Sequence, residues 1–313
     1  KKIYWRETKL KMDLKSKIIL IYGPTASGKS QFAIKLAKKI NGEIINADSM
    51  QVYKELKILS ARPLRKDYLK IKHYLYGFET VKKNFSTGDW LKLVNKKILE
   101  MKKRKKVPIL VGGTGLYFKA LTDGLVNIPN IPLNFRKRIR YLHKKIGPKS
   151  FYLKLLKLDP LVKNKIIQSD TQRVIRAYEI KSYTKISMYN WFKNTKSNFK
   201  KDDFYKIYID FPRNELLTRI KNRTKEMIKN GAILEVKKFT KLKIPKNKSA
   251  NKAIGIEEVK EFINKKIKID DLIEKISIKT RQYAKRQNTW GRGKMMDWNK
   301  LNPNSLDRFL KKI

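Results

Sequence analysis

Eight consecutive residues, Gly23-Pro24-Thr25-Ala26-Ser27-Gly28-Lys29-Ser30, carry the spacing G-x-x-x-x-G-K-S/T. Glycines at the two ends let a backbone turn curl until several N–H groups point inward at phosphate oxygens. A helix opening at Lys29 adds the partial positive charge of its N-terminus. Lys29 can then reach the distal phosphate, and the Ser30 hydroxyl can ligate Mg²⁺. Phosphate sites of this kind draw an acid from a strand end. Asp48 follows the apolar run Ile44–Ala47 and Asp210 follows Tyr205–Ile209, so both qualify. A second glycine-rich turn, Gly112-Gly113-Thr114-Gly115, offers further N–H donors and the Thr114 hydroxyl. Arg219 and Arg223 lie four apart, close enough to share one face of a helix. The ordinary reading of the second turn is a tight strand–helix connection, and that of the arginine pair is a solvated face.

These groups need elements to hold them. Lys17–Tyr22 is a continuous apolar run of the kind buried on both faces of a parallel sheet. After the glycine turn, Phe32, Ala33, Leu36, Ala37 and Ile40 recur at helical spacing over Lys29–Lys39. Glu43–Ala47, Val107–Val111 and Tyr205–Ile209 read as further strands, and Trp90–Lys105 as a helix with Leu91, Val94, Ile98 and Met101 on one face. Strands alternating with helices predict an α/β core with a parallel sheet of the P-loop NTPase type. From 126 to 198 the texture changes: Pro129 and Pro132 interrupt the chain, and Asn134–Ile146, Lys149–Leu158 and Thr171–Ser182 are helical with no convincing strand. The expected organisation is a basic N-terminal extension over 1–16, a core over 17–125 and 199–313, and an inserted all-helical domain over 126–198. Met12 could be the native first residue. Within the second half of the core, Leu216–Asn230, Gly231–Leu242 and Asp271–Trp290 are expected helices, the last with Asp270 or Asp271 as N-cap.

The chain has 77 Lys and Arg against 27 Asp and Glu, a formal charge of +50. Part of that excess follows the joint richness in Lys, Ile and Asn that AT-rich coding produces. Whatever its origin, it draws the protein to phosphate backbones. Cys is absent and the only histidines are His73 and His143, which excludes disulfides, thiolate zinc sites and multi-histidine metal sites. No apolar run approaches the roughly 20 residues a bilayer helix needs, and no secretory apolar segment opens the sequence. A cytoplasmic protein without membrane contact is expected.

Three blocks in order, Gly23–Ser30, Ala47–Tyr53 and Val111–Leu121, resemble the tRNA dimethylallyltransferase family. Phe85–Trp90, Asp170–Ile180, Arg219–Glu235, Ala253–Gly255 and Thr280–Arg292 continue the likeness, so it runs in register from Lys17 to Arg292. The resemblance implies transfer of a dimethylallyl group from its diphosphate to N6 of the adenosine at position 37 of tRNA, beside the anticodon. The P-loop, Gly23 to Ser30, would then hold a prenyl diphosphate rather than ATP, with Mg²⁺ on Ser30. Lys29, Arg223 and, in support, Arg219 would stabilise the departing diphosphate. Asp48 would accept the amine proton, and Thr114 would orient the reacting groups. The resemblance places tRNA contacts at Asp48, Ser49, Met50 and Gln51, at Thr114, at Arg136, and at Gln172, Arg173, Val174, Ile175 and Arg176. Lys285, Arg286, Trp290 and Arg292 would follow the tRNA backbone, and the target base would flip out of the anticodon loop into the core. A monomer is expected.

The sequence departs from the family pattern at Glu55, Leu59–Pro63, Gly77 and Ile256. Two other readings compete. A P-loop small-molecule or nucleoside kinase would explain the P-loop and Asp48 but not the basic insertion. A nucleic-acid-binding module without catalysis would explain the charge alone.

Overall fold

The computed structural model describes residues 14–64, 68, 70–193 and 195–313. The expected N-terminal extension lies almost entirely outside the described residues. In chain order the elements are β1 (Ile18–Tyr22), α1 (Lys29–Ile40), β2 (Gly42–Asn46), β3 (His73–Tyr74), α2 (Thr87–Lys103), β4 (Val107–Gly112), α3 (Gly115–Asp123), α4 (Leu133–Leu158), α5 (Thr171–Thr184), α6 (Met188–Lys193), β5 (Phe204–Ile209), α7 (Arg213–Lys229), α8 (Ala232–Lys241), α9 (Ile256–Ile263), α10 (Ile269–Lys294), β6 (Asn299–Leu301) and α11 (Pro303–Lys312).

The strands form one sheet in the order β3-β2-β4-β1-β5-β6, with every pairing among the described residues parallel. The central strand β1 is wholly buried because it has a partner on each edge and helices on each face. Its side chains alternate. Ile19 and Ile21 pack with Phe32 and Leu36 of α1 and with Leu216 and Ile220 of α7. Ile18, Leu20 and Tyr22 pack with Trp90, Val94 and Ile98 of α2 and Phe118 of α3. A strand buried on both faces has no polar face to alternate with, hence its unbroken apolar run. β3 and β6 carry no such run, being two and three residues long with half-buried or exposed side chains. Their pairing with the sheet is what makes them strands.

The chain divides into two compact units. One comprises the described residues up to Thr122 together with Phe199–Ile313; the other is Asp123–Asn198. The second unit is helical, and its own core includes Ile139, Phe151, Leu155, Val162, Val174 and Ile180. Helix α4 is continuous in outline but breaks at Gly147 (φ 77°, ψ 164°) before Pro148. A left-handed glycine followed by proline cannot continue a helix, so the two expected segments are the two arms of a kinked one. In the first unit, α10 begins two residues before the expected start. Lys268 is its N-cap residue, and Asp271 sits at the third helical position with its carboxylate accepting the Lys268 N–H at 3.1 Å. The acid completes the cap from inside the helix, which corrects the expected Asp270 or Asp271 cap.

Candidate active site

The P-loop runs from the end of β1 into α1. Gly28 has φ 82°, a conformation glycine adopts without cost, and closes the turn as the N-cap of α1. Ala26 shares that left-handed region at φ 64° despite its Cβ, so the loop holds a strained residue at its tip. The Lys29 ammonium donates to the Pro24 carbonyl at 3.1 Å. Arg223, on α7, reaches across to the Thr25 hydroxyl at 3.1 Å. Arg219, one turn earlier, lies over the Phe211 ring at 4.8 Å and lines the same cavity. Both expected arginines thus line the cavity beside the P-loop, Arg223 half-buried and Arg219 still exposed to solvent.

Asp48 follows β2, and its placement is built by Asn46. The Asn46 amide oxygen accepts the Asp48 N–H at 2.9 Å, and its nitrogen donates to the carbonyls of Asp48 and Leu75. The Met50 N–H donates to Oδ1 of Asp48 at 2.9 Å. Thr114 stands opposite, accepting the Ser49 N–H at 3.0 Å on its hydroxyl. Asp210, the other strand-end acid, lies outside the cavity lining, with its carboxylate 3.5 Å from Arg292 and 3.4 Å from the Tyr208 hydroxyl. Of the two acids, only Asp48 meets the P-loop.

Gln287 of α10 ties the two glycine turns together. Its Oε1 accepts the Thr25 N–H at 2.8 Å and its Nε2 donates to the Gly113 carbonyl at 2.9 Å. Gln51 donates to the Ser60 and Ala61 carbonyls at 3.0 and 3.2 Å. The same loop is fixed from behind by Glu235, whose carboxylate accepts the N–H groups of Lys57, Ile58 and Leu59 at 2.7–2.9 Å. Arg62 fills the space above Gly77, where a Cβ would fall 1.5 Å from its guanidinium. Two positions at which the sequence departs from the family pattern are therefore in contact.

Two cavities meet at Thr25, Asp48, Ser60 and Arg223. The first, about 390 Å³, is polar and lined by the P-loop, Ser30, Gln51, Arg219, Asn222 and Arg223. The second, about 280 Å³, has apolar walls from Met50, Leu59, Ile220, Met227, Ile254 and Ile276, with Tyr283 and Arg286 beside them. Burial, with some help from neighbouring Arg223, lowers the Lys29 ammonium to a pKa of about 8, and the Asp48 charge works against that fall. Burial likewise lowers Arg223, again opposed by Asp48. Tyr283 hydrogen-bonds with Thr114 and Gln287, and burial pushes its phenol upward, so it stays protonated.

The remaining candidates fall elsewhere. Val174 and Ile175 are in the core of the helical unit and offer no side chain to an RNA. This narrows the expected contact segment to Gln172, Arg173 and Arg176: on a helix, five consecutive residues cannot share one face. Arg136 and Arg176 converge on Glu179. On α10, Lys285 and Arg286 are exposed, while Trp290 is half-buried with its indole against Gly115. Trp290 thus packs inside its unit, as its place on the apolar face with Leu272, Ile276 and Tyr283 requires, with part of the ring still exposed. Asn46, Gln287, Glu235 and Tyr283 were not singled out from sequence. Asn46, Gln287 and Glu235 act through hydrogen bonds to backbone and Tyr283 through its bonds with the Thr114 and Gln287 side chains, none of which leaves a spacing signature.

The IPP transferase family model matches residues 51–294. A curated tRNA dimethylallyltransferase of Pelagibacter ubique is 61% identical over 302 residues, covering 96% of each chain, so the likeness extends over the P-loop as well. A curated protein of the same description from Rickettsia massiliae is 43% identical over 281 residues, 90% of this chain and 77% of its own. Among solved structures, the tRNA isopentenylpyrophosphate transferase of Bacillus halodurans superposes with a TM-score of 0.67 at 29% identity, covering 95% of both chains. A eukaryotic dimethylallyltransferase acting on tRNA gives a TM-score of 0.80 at 28% identity over 91% of this chain and 73% of its own.

Proposed function

The chain belongs to the IPP transferase family, and from that premise we propose that it transfers a dimethylallyl group from dimethylallyl diphosphate to N6 of adenosine 37 in tRNA. The single observation that carries the assignment of roles is the junction of the two cavities at Asp48, Thr25 and Arg223. A polar, cationic chamber opening into an apolar one suits a ligand with a diphosphate at one end and a hydrocarbon at the other.

The diphosphate lies on the P-loop amides, with Lys29, Arg223 and Arg219 around it. The five-carbon group points into the second cavity, against Met50, Ile220, Met227 and Ile276. In the reaction N6 attacks the first carbon of the allyl group, the carbon–oxygen bond breaks, and the diphosphate leaves with the bonding electron pair. The proton on N6 passes to Asp48. The charge that develops on the leaving oxygens is met by donors already in place. Oδ1 of Asp48 is occupied by Met50, which leaves Oδ2 for the amine. Thr114 holds the Ser49 amide and so the turn that carries Asp48.

Among the described residues no cluster of three acids or histidines could hold a metal. Ser30 is the one expected ligand, and Mg²⁺ fits such a site because it keeps several waters and takes its remaining ligands from phosphate. It would add charge neutralisation at the diphosphate. The tRNA anticodon stem-loop is the partner, met by Gln51, by Arg136, Gln172, Arg173 and Arg176 of the helical unit, and by Lys285, Arg286 and Arg292. One subunit supplies both cavities, which supports a monomer, and a tRNA substrate supports a cytoplasmic location. No described helix is long and apolar enough to cross a membrane.

Incubation with tRNA and dimethylallyl diphosphate, followed by mass spectrometry of the nucleosides, tests this reading. The expected product is N6-dimethylallyl adenosine beside the anticodon. Unmodified tRNA, with phosphate transfer from labelled ATP instead, would support the kinase reading.

A further inference from the structure

The helical unit carries 17 Lys and Arg against four acids, Asp123, Asp159, Asp170 and Glu179. Asp159 is buried, Asp170 caps α5 through the Arg173 N–H, and Glu179 is completely buried. A buried carboxylate needs compensation, and Glu179 has three guanidiniums. Nε of Arg136 and Nη1 of Arg176 each lie 3.3 Å from its Oε2, and Nε of Arg140 lies 3.6 Å from its Oε1. The carboxylate side chain is 1% exposed while the arginines are 37%, 58% and 40% exposed. One negative charge therefore anchors the inner sides of three cations whose outer sides face solvent, leaving two positive charges uncompensated.

The order of these residues is that of two antiparallel helices. Phe135 of α4 meets Tyr183 of α5 edge-to-face at 5.4 Å, next to the arginines, and Tyr183 is 41% exposed. The α4–α5 face is thus a basic strip with an aromatic pair beside it. Guanidiniums match phosphate in a bidentate way, and an exposed ring offers a base a surface to stack on.

We propose that Glu179 is a positioning residue that fixes Arg136, Arg140 and Arg176 as a preorganised clamp for the phosphate backbone of a folded RNA loop, with Arg140 and Tyr183 as further contacts. The proposal rests on the tRNA reading above. Preorganisation is what separates it from charge alone. Flexible arginines attract any polyanion, whereas fixed ones reward only the phosphate spacing they were fixed for.

The test uses the full chain and two RNAs of equal length, an anticodon stem-loop and oligouridylate, with binding followed by fluorescence anisotropy. Glu179→Gln removes the negative charge and keeps the shape. It should weaken stem-loop binding about tenfold while oligouridylate binding stays equal or tightens, because the local charge becomes more positive. A purely structural role would lower both together, and a purely electrostatic patch would raise both; either result overturns the proposal. Arg140→Gln, at an exposed position, guards against misfolding of the first variant and should lower stem-loop binding about fivefold with little change for oligouridylate. Equal binding by Arg140→Gln and the parent chain overturns the clamp. Transfer of the dimethylallyl group to the stem-loop by the parent chain is measured alongside. If it occurs while Glu179→Gln binds the stem-loop normally, the clamp fails and the tRNA reading stands; if it does not occur, that reading fails by itself.

Discussion

At the scale of single residues the site is an arrangement of charges that depend on one another. Burial holds Lys29 at about 8 in the free protein, and a bound diphosphate favours its charged form. Donor affinity should therefore be full below about pH 8 and fall as pH rises through it, by up to about tenfold per pH unit. Calorimetry in buffers of different ionisation heat should show proton uptake on binding above that pH. The sign for stability is opposite. Between about 8 and 10.5 the unfolded chain holds a proton that the folded one has lost, so this group adds stability as pH rises. Asp48 opposes the fall in Lys29, so Asp48→Asn should move the break in donor affinity to lower pH. The same variant keeps Oδ1 for the Met50 N–H but cannot take a proton. Single-turnover rates should drop by about 10²–10⁴, with donor affinity nearly unchanged at a pH well below the shifted break. A near-normal rate would remove Asp48 from the proton transfer.

At the scale of elements, α10 does most of the joining. It carries Gln287 to both glycine turns, Tyr283 to the second cavity and Trp290 to the start of α3. Its two late glycines should respond differently to alanine. A Cβ on Gly291 would lie 2.9 Å from the Tyr208 ring and 3.1 Å from that of Tyr22, both rigid and packed. Gly291→Ala should cost about 1–3 kcal/mol by overpacking. A Cβ on Gly293 meets nothing within 4 Å, so Gly293→Ala should be neutral or stabilise by up to about 1 kcal/mol through helix propensity. Urea unfolding of the pair measures both. Gln287→Leu keeps the bulk and leaves the Thr25 N–H and the Gly113 carbonyl without their partner; donor affinity should fall with little loss of fold.

At the scale of the whole molecule, the charge and the two-unit organisation make separate predictions. With +50 on the chain, tRNA affinity should fall steeply between about 50 and 200 mM salt, as phosphate neutralisation releases counterions. A flat salt response would contradict it. The helical unit has its own core, and its entry and exit strands of chain lie side by side, a Cβ on Gly124 falling 2.4 Å from the Lys196 carbonyl. We expect that replacing 126–197 with a short linker leaves a folded core that still binds dimethylallyl diphosphate but not tRNA. Loss of donor binding in the shortened chain would show that the insertion supports the site.

The sequence by itself determined the parts whose physics is local. Strands buried on both faces run apolar, so β1 and β4 were legible outright and β2 and β5 through their shorter apolar stretches Ile44–Ile45 and Ile207–Ile209, and the P-loop announced itself because curling a backbone around phosphate requires its glycines and lysine at fixed spacing. Asp48 was legible as an acid at a strand end, although Asp210 was equally so. Only the tertiary structure chose between them, by turning one into the cavity and leaving the other beside Arg292. It also decided the two short strands, which exist through their neighbours. It buried Val174 and Ile175 within a run read as contact surface, and it brought Gln287 to the P-loop across 262 residues of sequence. Such a hydrogen bond imposes no pattern on the residues around it, because a single side chain reaching a backbone N–H needs only to arrive at the right place, and that place is set by the packing of the sheet and the helices on its faces.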